Sequence, residues 1–139
     1  MLEAEKAAFS FQSFRVPKFT FDEGNNDLDN KLTLGFLPSG IYNSKTGEFE
    51  VTIKFVSQVE NQERNIFELT AVSLFKFNTP IPYSEIPSFF YKNAIAIIFP
   101  YIRAFISTLT LQANTKLLKL DLMNLSVLEK PLIDNTTVI

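Results

Sequence analysis

The 139-residue chain contains neither cysteine nor histidine. Without them it cannot form a disulfide, a thiolate or imidazole metal site, or a nucleophile activated by histidine. Its carboxylates fall in predicted turns and on predicted strand faces, where solvated surface groups are the usual interpretation. No GxGxxG or GxxxxGK[ST] phosphate-binding motif occurs. We therefore expect no enzymatic activity, no catalytic residue, no metal and no cofactor.

Basic residues are also few, with 13 lysines and arginines against 15 aspartates and glutamates. Because no basic stripe is present to neutralise phosphates, we expect no nucleic-acid partner. The N-terminal stretch MLEAEKAAFSF lacks the basic segment and apolar run of a secretory signal. Together with the absence of cysteine, this indicates a cytoplasmic protein.

Tryptophan is absent, whereas phenylalanine occurs 15 times. Phenylalanine offers apolar area without a polar group, so the rings either build a core or form an adhesive apolar surface. So many rings exceed what the core of one small domain readily hides. We therefore expect a single domain over residues 1–139 that also exposes apolar side chains.

The first three-fifths of the chain predicts a four-stranded antiparallel meander. In the first strand the apolar residues alternate with polar ones, but the parity switches twice, between Phe11 and Phe14 and between Val16 and Phe19. Two bulges in one long edge strand explain these switches. Alternation over residues 32–41, 49–55 and 67–77 predicts three further strands, and one face of the sheet is apolar.

Helices follow the prolines at positions 80, 82 and 87. We predict a short helix over residues 84–92 and then a main helix, kinked at Pro100. The main helix is apolar on all sides and therefore needs cover from both sides, which a partner subunit would supply. Its central Arg103 disfavours a membrane span and is interpreted as a structural cation, paired with a carboxylate or helix-end carbonyls. The tail, residues 129–139, is expected to be irregular.

Two short patterns carry a family resemblance. The helix contains Phe99-Pro100-Tyr101-x-Arg103, and Leu118-x-Leu120-x-x-x-Asn124 follows it. Together with the meander and the N-terminal Phe19-x-Phe21-Asp22, they make the chain resemble SecB, the bacterial export chaperone. The likeness extends over about residues 9–128. It implies an α+β fold with a short C-terminal helix.

The resemblance also implies a function. A SecB-like protein is an ATP-independent holdase that binds non-native polypeptides in apolar grooves, forms a homotetramer as a dimer of dimers, and hands clients to the motor SecA. The implied client-binding residues lie near the junction of helix and sheet: Leu32, Leu34, Phe36, Phe89, Tyr101, Leu125 and Leu128. The implied SecA contacts are Asp22 and Glu68, and the implied oligomer interface comprises Phe67, Leu69, Ile98, Ile102 and Phe105.

Departures from the family keep alternatives open. Lys18 stands where that family has an acidic SecA-contact position, and the second helix is shortened to residues 125–128. The chain is therefore a divergent relative, and one alternative is a chaperone for a special client such as an antitoxin. Another is an oligomeric interaction subunit without chaperone activity. A third, an enzyme resembling hotdog thioesterases, is disfavoured because the main helix contains no Asp or Glu to act as a base.

Overall fold

A computed structural model describes residues 1–2, 8–24, 31–60 and 62–139, and in this part of the chain five strands form one sheet in the order β1-β4-β3-β2-β5. Two helices complete the α+β fold predicted from the sequence. The elements are β1 (Phe9–Phe21), β2 (Leu32–Asn43), β3 (Glu48–Val59), β4 (Asn65–Phe77), α1 (Ser88–Gln112), α2 (Glu129–Asp134) and β5 (Thr136–Val138).

Strand β1 is the edge strand, and both of its predicted bulges are present. Its register with β4 shifts between Phe11 and Ser13 and again between Arg15 and Lys18. Each shift returns the next apolar residues to the inner face of the sheet, where Phe9, Phe11, Phe14, Val16 and Phe21 pack against the core. The parity switches in the sequence thus correspond to real changes of register.

A tight hairpin joins β2 to β3. The Asn43 side chain accepts hydrogen bonds from the backbone N–H groups of Lys45 and Thr46, at 3.0 and 3.3 Å. Gly47 closes the turn in the left-handed region, at φ 77°, which glycine adopts without steric cost. The hairpin fixes the full β2–β3 ladder, from Leu32 opposite Val59 to Asn43 opposite Glu48.

The tail is ordered, so the expectation of an irregular segment over residues 129–139 is wrong. After a 3₁₀ turn at Ser126–Leu128, α2 buries Leu132 completely. Strand β5 then adds to β2 in parallel, with Gly40 opposite Thr136. A Cβ on Gly40 would lie 2.6 Å from the Phe49 ring and 2.8 Å from Thr136 Oγ1. Glycine at position 40 is therefore what allows the tail to approach β2 so closely.

Helix α1 runs without interruption from Ser88 to Gln112. The separate short helix expected over residues 84–92 is wrong, since only a 3₁₀ turn at Tyr83–Glu85 precedes α1. Pro100 lies inside the helix on its exposed side. The hydrogen bond that proline removes from the ladder therefore lies towards solvent, where water can solvate the freed carbonyl.

The core lies between α1 and the inner face of the sheet. Phe90 contacts Phe49, Phe75 and Phe77, with ring centroids 4.8 to 5.6 Å apart. Burial, reinforced by the Tyr83 hydroxyl, raises the pKa of the Tyr91 phenol, which therefore stays protonated. By length and composition α1 could cross a membrane, but its apolar face packs on the sheet of its own chain.

Four of the five predicted oligomer-interface residues belong to this core. Phe67, Leu69, Ile98 and Ile102 are at most 2 % exposed within a single chain. They cannot contact a second subunit directly, so this part of the interface prediction is wrong. The sheet of the same chain covers the side of α1 on which Ile98 and Ile102 lie. Phe105 alone of the five is partly exposed, because it lies at the edge of this buried face, beside Phe19 of β1.

Candidate functional site

A groove of about 300 Å³ runs between α1 and the chain that follows it. Ile95 and Phe99 on the helix, with Met123 and Leu125 opposite, give it an apolar surface. The remaining lining residues are Lys92, Ala96, Pro100, Arg103, Leu122, Asn124, Ser126 and Glu129. We call this feature the α1 groove.

The outer wall of the α1 groove is held at both ends. At its start, the backbone N–H of Leu118 donates to Thr110 Oγ1 at 3.0 Å, and Ser107 Oγ donates to the Leu118 carbonyl at 3.2 Å. At its far end, Leu128 is buried against the core, and the Ser126 N–H donates to the Asn124 side chain at 3.1 Å. These contacts hold the irregular chain over residues 122–126 beside α1, with the groove between them.

Charged side chains line the α1 groove. The Arg103 guanidinium lies over the Phe99 ring, 5.7 Å from its centroid. In the described part of the chain no ion pair to Arg103 accompanies this contact, so the carboxylate expected for Arg103 is replaced by an aromatic face. Lys92 lies on the same side of α1, three turns earlier, roughly 16 Å along the axis. An extended chain covers that length with about five residues.

The predicted client-binding residues are spread over several places, and only Leu125 lines the α1 groove. Leu128 is buried. Phe36 packs into the core against Phe55 and Phe99, with centroids 5.1 and 6.0 Å apart. Leu34 lines a neighbouring hollow at the open edge of β2, and Leu32 packs on a small satellite cluster.

Phe89 and Tyr101 lie on the other flank of α1, beside β1. Tyr101 stacks on Phe11 and Phe14 with centroids 5.3 and 5.2 Å apart, yet it remains 46 % exposed. Phe19 meets Phe105 at 5.1 Å. Residues two apart on a helix point about 200° apart, so Tyr101 faces away from Arg103 and the α1 groove. We call the surface formed by Phe19, Phe89, Tyr101 and Phe105 the β1 flank.

The predicted SecA contacts lie at the far end of the opposite sheet face. Asp22 forms an ion pair with Arg64 at 3.1 Å. The Glu68 carboxylate accepts hydrogen bonds from Thr20 and Asn65 and borders a depression that Lys18 and Lys54 also line. Both acids are exposed, but their surroundings include cations. The structure therefore does not join them into an acidic patch.

Sequence reasoning missed Met123 and the helix residues Ile95 and Phe99 as groove residues. The available signal was the apolar Leu122-Met123 pair between Asp121 and Asn124, in a stretch without strand or helix periodicity. Apolar residues in an irregular connection pack on something or bind something. Ile95 and Phe99 carried no signal of their own, because every residue around them on α1 is also apolar.

Comparisons with known proteins agree with this arrangement. The model of the SecB family, described as preprotein translocase subunit SecB, matches residues 8–130. Among solved structures, the chain is similar to the Mycobacterium tuberculosis SecB-like chaperone Rv1957, in complex with a ChAD peptide from the Rv1956 HigA1 antitoxin. That match has a TM-score of 0.65 at 16 % identity and covers 84 % of this chain and 88 % of the other. No curated protein sequence matches significantly.

Proposed function

Because the chain belongs to the SecB family, we propose that it is an ATP-independent molecular chaperone that holds non-native polypeptides in the α1 groove. The open apolar groove between α1 and residues 122–129 is the observation that carries this proposal. Ile95, Phe99, Met123 and Leu125 give it a mostly apolar surface. A surface of this kind accepts apolar side chains of an unfolded client without a sequence code.

The shape of the groove defines the client as an extended segment. Lys92 and Arg103 stand roughly five extended residues apart, so a short apolar stretch fits between them. Since burial of apolar area drives such binding, affinity should follow the apolar area of the client and show a negative change in heat capacity. Folded proteins hide these segments and should not compete.

Assembly is the second part of the proposal. Among the residues that the structure describes, no charged side chain belongs to the β1 flank, which suits a surface that a second copy of the chain covers permanently. We therefore propose a cytoplasmic homo-oligomer, a dimer of dimers, in which β1 and the exposed side of α1 meet a partner subunit. Phe105 stays in the proposed interface, and Tyr101 and Phe89 move to it from the client-binding set.

The destination of the client is the third part. Handover to SecA for export needs an acidic docking surface. In this chain the ion pair of Asp22 with Arg64 and the lysines near Glu68 reduce the negative charge of that surface. Rv1957 is a SecB-like chaperone solved with an antitoxin peptide. A special client of this kind therefore suits the charge pattern better than general export does.

Suppression of aggregation tests the chaperone proposal. The wild-type protein, in several-fold molar excess and without ATP, should delay the aggregation of a chemically unfolded substrate measured by light scattering. The double variant Met123→Ser and Leu125→Ser should lose most of this effect, because the groove wall opposite α1 becomes less apolar.

The matched control is Val127→Ser. Val127 belongs to the same connection and is 72 % exposed, but it does not line the groove. It should suppress aggregation as the wild type does. If the wild type neither delays aggregation nor binds any unfolded chain, the chain is an oligomeric interaction subunit and the chaperone proposal is wrong. Equal losses in both variants would place client binding outside the groove.

A further inference from the structure

The sheet face turned away from α1 carries a cluster of cations that a bulge in β1 creates. Arg15 and Lys18 are three residues apart, and in a regular strand that odd spacing would place them on opposite faces. The register shift between them pairs Arg15 with Val72 and Lys18 with Thr70, which are two residues apart in β4. Both cations therefore point to the same outer face.

Lys54 completes the cluster from the neighbouring strand. Thr70 pairs with Lys18 on one side and with Lys54 on the other, so the two lysines flank it, roughly 10 Å apart across the strands. Arg15 stands one row further, roughly 7 Å along the sheet. All three are exposed, and no described carboxylate lies within ion-pairing distance of them.

One acid borders this cluster. Glu68 lines the same 150 Å³ depression as Lys18 and Lys54, and its carboxylate accepts hydrogen bonds from Asn65 and Thr20. One carboxylate beside three cations leaves a net positive patch on a chain whose formal net charge is −2. The excess cations repel one another, and the carboxylates of a partner would relieve that repulsion.

An exposed apolar side chain adjoins the cations. Leu37 pairs with Lys54 across β2 and β3 and is 65 % exposed, and Ile41 lies further along the same face, 44 % exposed. Leu37 adjoins the cations directly, whereas Ile41 pairs with Glu50. A patch that joins three cations to an exposed apolar side chain suits a protein surface. Nucleic-acid binding relies on many more phosphate contacts than three cations supply.

We infer that Arg15, Lys18, Lys54 and Leu37 form a docking surface for an acidic protein partner, on the opposite side of the sheet from the α1 groove. The partner presents carboxylates spaced to meet the three cations and an apolar side chain to meet Leu37. Because this surface and the groove lie on different faces, one subunit can hold a client and an acidic partner at once.

A labelled peptide of alternating glutamate and leucine is a direct probe. Fluorescence anisotropy should show binding to the wild type that weakens as salt rises, since exposed charges carry it. The triple variant Arg15→Glu, Lys18→Glu and Lys54→Glu should lose at least about tenfold in affinity. Leu37→Ser should lose less. The triple variant should still suppress substrate aggregation, because the groove is untouched.

Lys76→Glu is the matched control. It reverses a charge on the same outer face, at the far end of β4, where Lys76 pairs with Glu48. It should bind the peptide as the wild type does. The inference is overturned if the triple variant binds like the wild type, or if Lys76→Glu loses as much as the triple variant. Tighter binding of a single-stranded DNA oligonucleotide or of phosphatidylserine vesicles, abolished by the triple reversal, would assign the patch to those ligands instead.

Discussion

The two flanks of α1 are both apolar, but they differ in charge and in what covers them. On one flank the chain over residues 122–129 leaves an open groove bordered by Lys92, Arg103 and Glu129. On the other, rings of β1 stack on Tyr101 and Phe105, and no charged side chain of the described residues takes part. A permanently buried interface tolerates no unpaired charge, whereas a surface that binds and releases clients must remain soluble when empty. In the proposed function, this difference distinguishes the surface that contacts another subunit from the surface that binds transient clients.

The largest expected effect is on stability, and it comes from a substitution on the face of α1 that lies between these flanks and packs on the sheet. Ile102→Asp would place a carboxylate among fully buried side chains, which costs about 3 to 5 kcal/mol when no partner is available. Chemical denaturation should show a protein that is largely unfolded, with both flanks lost.

Lys92→Asp is the control for this change. It introduces the same carboxylate at an exposed position of the helix, on the groove side and away from the proposed subunit contact. Its free energy of unfolding should stay close to that of the wild type. Equal destabilisation by the two substitutions would contradict the assignment of one face of α1 to the core.

A charge on the β1 flank should break assembly without unfolding the chain. Tyr101→Asp removes the ring that stacks on Phe11 and Phe14 and would bury a carboxylate in the proposed interface. Light scattering should report a mass near four chains for the wild type, or two if the contact between dimers is weak. The variant should fall to a smaller species, towards the 15.8 kDa of one chain. Tyr101→Phe should keep the wild-type mass, and an unchanged mass in Tyr101→Asp would remove this flank from the interface.

A substitution that disturbs the contact between the tail and β2 should affect only the groove side of α1. Gly40→Ala places a methyl group against the Phe49 ring and Thr136, so β5 must shift. Overpacking of this kind costs about 1 to 3 kcal/mol. Since α2 and the groove wall precede β5, hydrogen exchange over residues 122–138 should accelerate while β1 keeps its protection. Gly35→Ala is the control, because its nearest contact is 4.0 Å away. Faster exchange in β1 would contradict the independence of the two sides.

The smallest effect belongs to Arg103. Arg103→Gln removes a partly exposed groove charge worth at most about 1 kcal/mol to a client carboxylate, or roughly fivefold in affinity. An apolar peptide that ends in glutamate should bind more weakly to this variant, and the same peptide ending in glutamine should be unaffected. If both peptides lose equally, Arg103 acts through its packing on Phe99 instead of its charge.

Sequence reasoning succeeded where periodicity is strong. The parity switches in β1 located both bulges, and the patterns of β2, β3 and β4 gave their faces. It failed for α1, where an apolar residue at almost every position does not show which side faces the sheet. Ile98 and Ile102 were consequently assigned to the interface.

The prediction of an irregular tail failed for another reason. A three-residue strand carries no periodicity, and its docking depends on Gly40, nearly one hundred residues away in sequence. An isolated glycine inside a strand was the one available signal of a close approach. The groove wall was missed because residues 122–126 have no regular structure, and only the folded chain brings them beside Phe99.

The absence of cysteine permits the most direct test of the central claim, that clients use the groove and subunits use the β1 flank. One variant carries a single environment-sensitive dye on Ser126→Cys, at the groove rim, and a second carries it on Thr108→Cys, two turns after Tyr101 on the β1 flank. An unfolded client should change the emission of the Ser126 dye alone, and dilution that separates subunits should change that of the Thr108 dye alone. A client response at Thr108 without one at Ser126 would contradict the account.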